Sequence, residues 1–183
     1  MKRTTYPALY ILAVLIFISP AAAGFRGAMV YKASDQTIAP GVAGIAPITF
    51  DKILYDTCGC WDAESNRFVI PAGTRFVRLK AQAIFQHGDH ATTDLADSHV
   101  RQIVIKKNFN TLENWYGDRP GWAVGQVPTH TATTVDVSAS GPVLPVKEGD
   151  TFLVDAFVWD GIESNPVAIR GTNGTWFSIE IVD

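Results

Sequence analysis

The sequence predicts an antiparallel β-sandwich or jelly roll, and three observations support that fold class. Apolar and polar residues alternate with period two, most regularly at Val77, Leu79, Ala81, Ala83 and Phe85. Gly, Pro, Asn or Asp bounds each alternating run, and β-branched and aromatic residues are frequent within the runs. No convincing amphipathic helix follows residue 23. Many short strands between turns are typical of sandwiches and jelly rolls, and a closed barrel is the weaker alternative.

The first 23 residues form a segment of their own. Lys2 and Arg3 precede an apolar run over residues 8–18, and three alanines follow at 21–23. This order is typical of a secretory signal peptide, whereas a membrane-spanning helix needs about 20 apolar residues. We therefore expect cleavage after residue 23, and a secreted or periplasmic mature protein that keeps no membrane span.

The remaining chain, residues 24–183, has the composition of one globular domain. The full sequence has 183 residues, of which 47% are hydrophobic and 11% aromatic, enough for a packed core. No internal repeat or linker divides the mature part. The full sequence has a formal net charge of -3, and removal of Lys2 and Arg3 with the leader changes it to -5. A nucleic-acid partner is therefore not expected.

Six runs with strand-like alternation follow one another along the mature chain. They cover residues 28–31, 77–85, 100–107, 133–139, 151–160 and 176–182. A turn signal, Asn173-Gly174-Thr175, comes just before the last run. It is formally a glycosylation sequon, but Asn-Gly is also the favoured two-residue hairpin turn, and we expect the turn.

The fifth run is apolar on both of its faces. Phe152, Val154, Ala156 and Val158 alternate with Leu153, Phe157 and Trp159, and only Asp155 interrupts them. One face can fill the core, whereas the other requires a loop or another subunit to cover it. The last run repeats the pattern, with Phe177, Ile179 and Ile181 on one side and Trp176 and Val182 on the other.

The segment between residues 47 and 73 carries the most specific spacing in the chain. Its pattern is Phe50-x5-Asp56-x4-Trp61-x6-Phe68. The three aromatic side chains offer large apolar surfaces to a core, and a carboxylate such as Asp56 fixes a turn by accepting hydrogen bonds from nearby backbone amides. We therefore expect structural roles for these four residues.

This spacing resembles the signature of the complement component 1q globular-head family, which is related in fold to tumour necrosis factor. The resemblance covers residues 25–183 and includes Pro47 ahead of Phe50 and Gly149-Asp150 ahead of a hydrophobic strand. Gly73 arrives one residue earlier than the signature expects, and no collagen stalk separates the leader from the domain. The chain thus resembles the divergent, head-only versions of some bacterial and phage-encoded relatives.

The resemblance implies an architecture and an assembly. The expected subunit is an all-β, ten-stranded antiparallel jelly roll of the complement-1q or tumour-necrosis-factor kind. Three such subunits are expected to pack around a threefold axis, which gives the outward-facing Phe157, Trp159 and Trp176 a partner surface.

The two cysteines form the tripeptide Cys58-Gly59-Cys60. Export favours a disulfide, but residues two apart in an extended chain lie near the upper Cα limit of about 6.8 Å, so a local bridge needs a bend at Gly59. Bridges to neighbouring subunits and free thiols are the alternatives. A zinc site needs further ligands that no second cysteine pair supplies.

A polar loop at residues 87–99 offers weak candidates for a cation site. Its carboxylates are Asp89, Asp94 and Asp97. Calcium takes six to eight oxygen ligands at set positions, and this loop has no EF-hand pattern. A solvated loop is the simpler interpretation, so we expect no cofactor, with calcium as the one alternative.

A second loop, NWYGDRPGW at residues 114–122, carries the candidate ligand-binding residues. These are Trp115, Tyr116, Arg119 and Trp122. Aromatic and Arg side chains on a loop can stack against sugars or anchor a protein partner. The alternative is that they cap the edge of the sandwich.

Catalytic motifs are absent from the sequence. It contains no G-x-S-x-G, Walker loop or H-E-x-x-H, and the consecutive Asp97, Ser98 and His99 would point to alternating faces of a strand. Paired carboxylates for glycoside hydrolysis could still meet through the fold, and the candidates are Asp62, Glu64, Asp155, Asp160 and Glu163.

We therefore predict a non-enzymatic, homotrimeric recognition module that binds a protein or glycan through surface loops. The alternative is a structural subunit of a surface or appendage complex.

Overall fold

A computed structural model describes residues 24–38, 44–87, 99–108, 124–129, 134–159 and 167–183. These residues form thirteen strands: β1 (Gly27–Tyr31), β2 (Gln36–Ile38), β3 (Gly44–Pro47), β4 (Lys52–Asp56), β5 (Trp61–Asp62), β6 (Arg67–Val69), β7 (Phe76–His87), β8 (His99–Lys107), β9 (Val124–Thr129), β10 (Thr134–Pro145), β11 (Thr151–Trp159), β12 (Val167–Ile169) and β13 (Trp176–Ile181). Within these ranges there is no helix of the length and apolarity that crossing a bilayer requires.

The first sheet, sheet A, has its strands in the order β10, β7, β13, β1 and β4, all antiparallel. β13 pairs with β7 over residues 77–82, and β12 pairs with the same strand at residues 85–87. β12 and β13 therefore follow one another along β7 and share one strand position in the sheet, here called a row. β2, which pairs with β12, continues the row of β1 in the same way.

The second sheet, sheet B, has the order β5, β6, β11, β8 and β9. β8 pairs along most of β11, so β3 and β6 share the other edge of that strand. Because three rows are each divided into two strands, the thirteen strands of the described residues occupy ten rows. The predicted antiparallel jelly-roll fold is confirmed, while the strands outnumber the expected ten.

The core lies between the two sheets and follows the predicted periodicity. Sheet A contributes the alternate residues of β7, which are each at most 1% exposed, namely Val77, Leu79, Ala81, Ala83 and Phe85. Sheet B contributes Phe152, Val154, Ala156 and Val158 from β11, all buried. All six predicted strands are present, and β10 runs on to Pro145, beyond its predicted end.

The expected hairpin at Asn173-Gly174 is wrong, although a turn is present. β12 and β13 lie end to end beside β7, so the residues between them leave the row and return to it. Asn173 adopts a positive φ of 58°. Thr175 is fully buried, and its Oγ1 accepts a hydrogen bond from the Ile84 amide of β7 at 3.1 Å. This side-chain bond replaces the backbone hydrogen bond that a continuous neighbouring strand would make. A local turn signal cannot reveal that both flanking strands share one neighbour.

Candidate functional site

The two predicted loop sites lie outside the described residues. This applies to Trp115, Tyr116, Arg119 and Trp122 and to Asp89, Asp94 and Asp97. Ligand binding and cation binding by these loops therefore stay predictions. The described residues instead define three features: the turn after β4 and the outward faces of the two sheets.

The four signature residues converge at one end of the core. Phe68 is fully buried, and the Trp61 ring packs edge-on against it with centroids 5.2 Å apart. Phe50 lies 6.2 Å from Trp61, and Phe177 of β13 lies 4.5 Å from Phe68. Aromatic pairs at these separations stabilise a core beyond the area that they bury. The expected structural role of these aromatics is confirmed.

Asp56 ends β4 and holds the turn that follows it. Its Oδ1 accepts hydrogen bonds from the amides of Cys60, at 3.0 Å, and Cys58, at 3.3 Å. Its Oδ2 accepts one from the Trp61 amide at 3.0 Å. This confirms the turn-fixing role expected of the carboxylate, since an acceptor that binds three amides of one short turn fixes the path of the chain.

Cys58 and Cys60 form a disulfide within this turn. Their Cα atoms are 5.2 Å apart, and Gly59 between them supplies the bend with a φ of 64°, which glycine adopts without a steric penalty. Cys58 is half-buried, whereas Cys60 is buried. One Asp56 oxygen and the two sulfur atoms all lie within 4.8 Å of one another.

The outward face of sheet A, on the side away from the core, is accessible to solvent and chemically mixed. Tyr31, Trp176 and Gln82 lie side by side on neighbouring strands. Met29 of β1 lies in the adjacent position and is also half-buried. β10 adds the exposed side chains Asp136, Ser138 and Ser140 along one margin of this face.

An ion pair lies on the same face. Arg78 Nη1 is 3.0 Å from Glu180 Oε2, and the two side chains are 39% and 41% exposed. Val143 beside Arg78 and Phe76 at the start of β7 are exposed apolar side chains. This face therefore carries aromatic, apolar and charged groups that water still reaches.

The outward face of sheet B differs in that its polar side chains are buried. Lys106 and Asp155 form an ion pair there whose side chains are only 9% and 4% exposed. Gln102 is buried on this face, and Phe157 is half-buried. Burial raises the pKa of Asp155, although the Lys106 ammonium opposes that change. The sequence feature that indicated this ion pair was Asp155, the single carboxylate in an otherwise apolar strand.

The three aromatic residues expected at a subunit contact do not form one patch. Phe157 lies on the outward face of sheet B and Trp176 on the outward face of sheet A, because β11 and β13 belong to different sheets. The side chain of Trp159 lies outside the part of the chain that the structure describes.

A polar network closes the end of sheet B. Asp150 Oδ1 accepts a hydrogen bond from Asn108 Nδ2 at 2.8 Å, and Oδ2 accepts from the Lys147 amide at 3.0 Å. Lys107 Nζ lies 2.6 Å from the same Oδ2. Burial alone would raise the pKa of Asp150, but these hydrogen bonds outweigh it and hold the pKa below its usual value.

Two of the carboxylates considered for acid–base catalysis, those of Asp62 and Asp155, have structural contacts. Asp62 accepts hydrogen bonds from the Glu64 amide, at 3.0 Å, and from Ser65 in its own turn. Asp155 pairs with Lys106. Asp160 and Glu163 lie outside the described residues.

Comparison with known proteins identifies the fold. Neither a protein-family model nor a curated protein sequence matches the chain. Among solved structures, the chain is similar to the Eiger TNF from S. frugiperda, with a TM-score of 0.57 and 8% sequence identity. The superposition covers 87% of this chain and 93% of that one. At this identity the likeness concerns the fold alone, and it shows that the chain is a jelly roll of the tumour-necrosis-factor kind.

Proposed function

We propose that the chain is an exported, non-enzymatic binding module that assembles as a homotrimer and binds a protein or glycan through surface loops. The observation that carries the proposal is the outward face of sheet A. On a jelly roll of this kind, it combines half-buried aromatic residues with a solvent-accessible ion pair. The predicted signal peptide and the complement-1q-like spacing of the sequence support export and trimer formation.

The residue types on this face favour a protein contact. Tyr31, Trp176, Met29 and Arg78 belong to the classes that are enriched in the cores of protein interfaces. Trp, Tyr and Arg are also the residues whose truncation most often weakens binding. A second copy of the chain is the partner that the trimeric resemblance supplies. The ligand would then bind elsewhere, at Trp115, Tyr116, Arg119 and Trp122.

A structural subunit of a surface or appendage complex is the second candidate, and one observation favours it. Ile53 and Leu54 on β4 are 53% and 61% exposed, and Phe25 beside that strand is also exposed. Among the described strands, β4 pairs only with β1, which leaves its other edge open. An open edge with apolar side chains is suited to pairing with a further strand.

Two measurements test the proposal. Sedimentation of the exported protein should give three times the chain mass, and a stable monomer at micromolar concentration would refute the trimer. Arrays of glycans and proteins should then yield a saturable ligand whose binding is lost in a folded Trp115→Ala, Trp122→Ala double variant. A trimer without any saturable ligand would favour the structural subunit instead.

A further inference from the structure

We propose that Asp56, Cys58 and Cys60 form a redox-gated site for one thiophilic divalent cation of the Zn²⁺ or Cd²⁺ class. The disulfide closes the site, and its reduction supplies two thiolate ligands beside a carboxylate. The inference goes beyond the proposed function and does not depend on it.

The geometry of the turn brings together the third ligand that the sequence does not reveal. An Asp56 oxygen and both sulfur atoms lie within 4.8 Å of one another, and the two cysteine Cα atoms are 5.2 Å apart. Zinc–sulfur bonds of about 2.3 Å in a tetrahedral site place two sulfurs roughly 3.8 Å apart. Side-chain rotation can separate the two reduced sulfurs to this distance without moving the backbone far.

The carboxylate of Asp56 retains capacity for a cation. Two oxygens offer about four acceptor positions, and three amide groups occupy positions on this carboxylate. Its negative charge, together with those of two thiolates, compensates the charge of a divalent ion. A fourth ligand can come from water, because Cys58 lies on the half-buried side of the turn.

Opening of the ring follows from the unequal burial of the two sulfurs. Cys58 is half-buried and Cys60 is 1% exposed, so a thiolate of an external dithiol attacks the Cys58 sulfur. The protein S–S bond breaks, a mixed disulfide forms at Cys58, and Cys60 leaves as a thiolate. The second thiol of the reductant then displaces Cys58 and closes its own disulfide. Two electrons and two protons reach the protein, and cation binding later releases those protons.

The turn should persist when the ring opens. A ring that spans one residue removes little entropy from the unfolded chain, so its contribution to folding is small. The hydrogen bonds to Asp56 and the packing of Trp61 on Phe68 hold the turn independently of the sulfur–sulfur bond. Reduction therefore leaves the three ligands close together.

The first test compares the oxidised and reduced forms of the same protein. The chain is reduced with a dithiol, freed of reductant under anaerobic conditions and titrated with Cd²⁺. We expect ultraviolet sulfur-to-cadmium charge-transfer absorption that saturates at one ion per chain, and no such band from the oxidised form. A reduced protein that keeps its circular dichroism spectrum but shows no band would overturn the proposal.

The second test examines the role of the carboxylate. Asp56→Asn should weaken Cd²⁺ binding to the reduced chain at least about tenfold, as loss of a group that tunes a metal site does. Asp62→Asn is the matched control, because Asp62 holds a separate turn nearby, and its variant should bind as the wild type does. Equal affinity in all three proteins would exclude Asp56 as a ligand.

A spectroscopic count of ligands uses the wild-type protein alone and so does not depend on the folding of any variant. Zinc X-ray absorption of the reduced wild type should show two sulfur ligands, with oxygen ligands completing the shell. One sulfur or none would overturn the site even if a stoichiometric ion remained bound.

Discussion

The outward faces of the two sheets each carry an ion pair, but the two pairs differ in their exposure to water. On sheet A the Arg78–Glu180 pair keeps 39% and 41% of its side-chain surface exposed. On sheet B the Lys106–Asp155 pair keeps only 9% and 4%. The ion pair on sheet B is thus buried within a single chain, whereas the ion pair on sheet A is accessible to water.

Because of this difference, we expect the two faces to contribute to different properties, one to the stability of the subunit and the other to its association. A buried pair is costly to break, because the remaining charge has no water to solvate it. An exposed pair contributes little, since water competes for both groups. We therefore expect changes on sheet B to affect folding and changes on sheet A to affect association.

The largest expected effect is that of Asp155→Asn. It removes the carboxylate that pairs with the buried Lys106 ammonium and should lower the free energy of unfolding by about 3 kcal/mol. Glu180→Gln, the matched change on sheet A, should cost less than about 1 kcal/mol. Urea unfolding of both variants measures the two effects. Similar losses would show that the two faces do not differ.

The next effect compares two aromatic residues. Phe157→Ala on sheet B should cost about 2 kcal/mol of stability, less than for a fully buried Phe, and leave the mass of the proposed trimer unchanged. Trp176→Ala on sheet A should change the melting temperature less but weaken association by about 2 kcal/mol, roughly 30-fold. Sedimentation over a concentration series distinguishes them. If only Phe157→Ala caused dissociation, the subunit contact would lie on sheet B, and the expectation for sheet A would be wrong.

The sequence predicted these faces only in part. Strict alternation located β7 and β11 and assigned their inward residues, because the side chains of a strand alternate regardless of its neighbours. Alternation also showed that Phe157 and Trp176 face outward. It could not show that they lie on different sheets, since sheet membership depends on pairings between residues far apart in sequence.

Short elements and side-chain convergence escaped prediction for similar reasons. β2 and β12 have three residues each, too few to display a period. The turn-fixing role of Asp56 could be predicted from the sequence, because its partners are local. Its proximity to both sulfur atoms could not be predicted, because it depends on the bend at Gly59.

Acid should destabilise the protein through Asp150, at the end of sheet B. Its pKa is lowered in the folded state, so as the pH falls the unfolded chain binds a proton first. The stabilisation is present above the ordinary Asp pKa of about 3.9 and is lost as the pH falls through the lower folded value. Asp150→Asn should thus cost about 1–2 kcal/mol near neutrality and progressively less below about pH 4.

Asp136→Asn is the control for this experiment. Asp136 is exposed on β10, at the margin of the outward face of sheet A, so its variant should unfold with nearly the free energy of the wild type. Unfolding free energies at several pH values test both expectations. A cost of Asp150→Asn that stays constant into strong acid would contradict the linkage.

The smallest effect should be the coupling between Arg78 and Glu180, and its salt dependence can reveal whether their face becomes buried. In the Trp176→Ala variant, diluted until sedimentation shows a monomer, a double-mutant cycle with Arg78→Met and Glu180→Gln should give about 0.5 kcal/mol or less. Added salt should reduce it, because the screening length falls from about 10 Å at 0.1 M to about 3 Å at 1 M. In the proposed wild-type trimer the same coupling should be larger and less sensitive to salt, since a subunit contact would remove water from the pair. Identical, salt-sensitive couplings in both forms would mean that assembly, if it occurs, uses another surface.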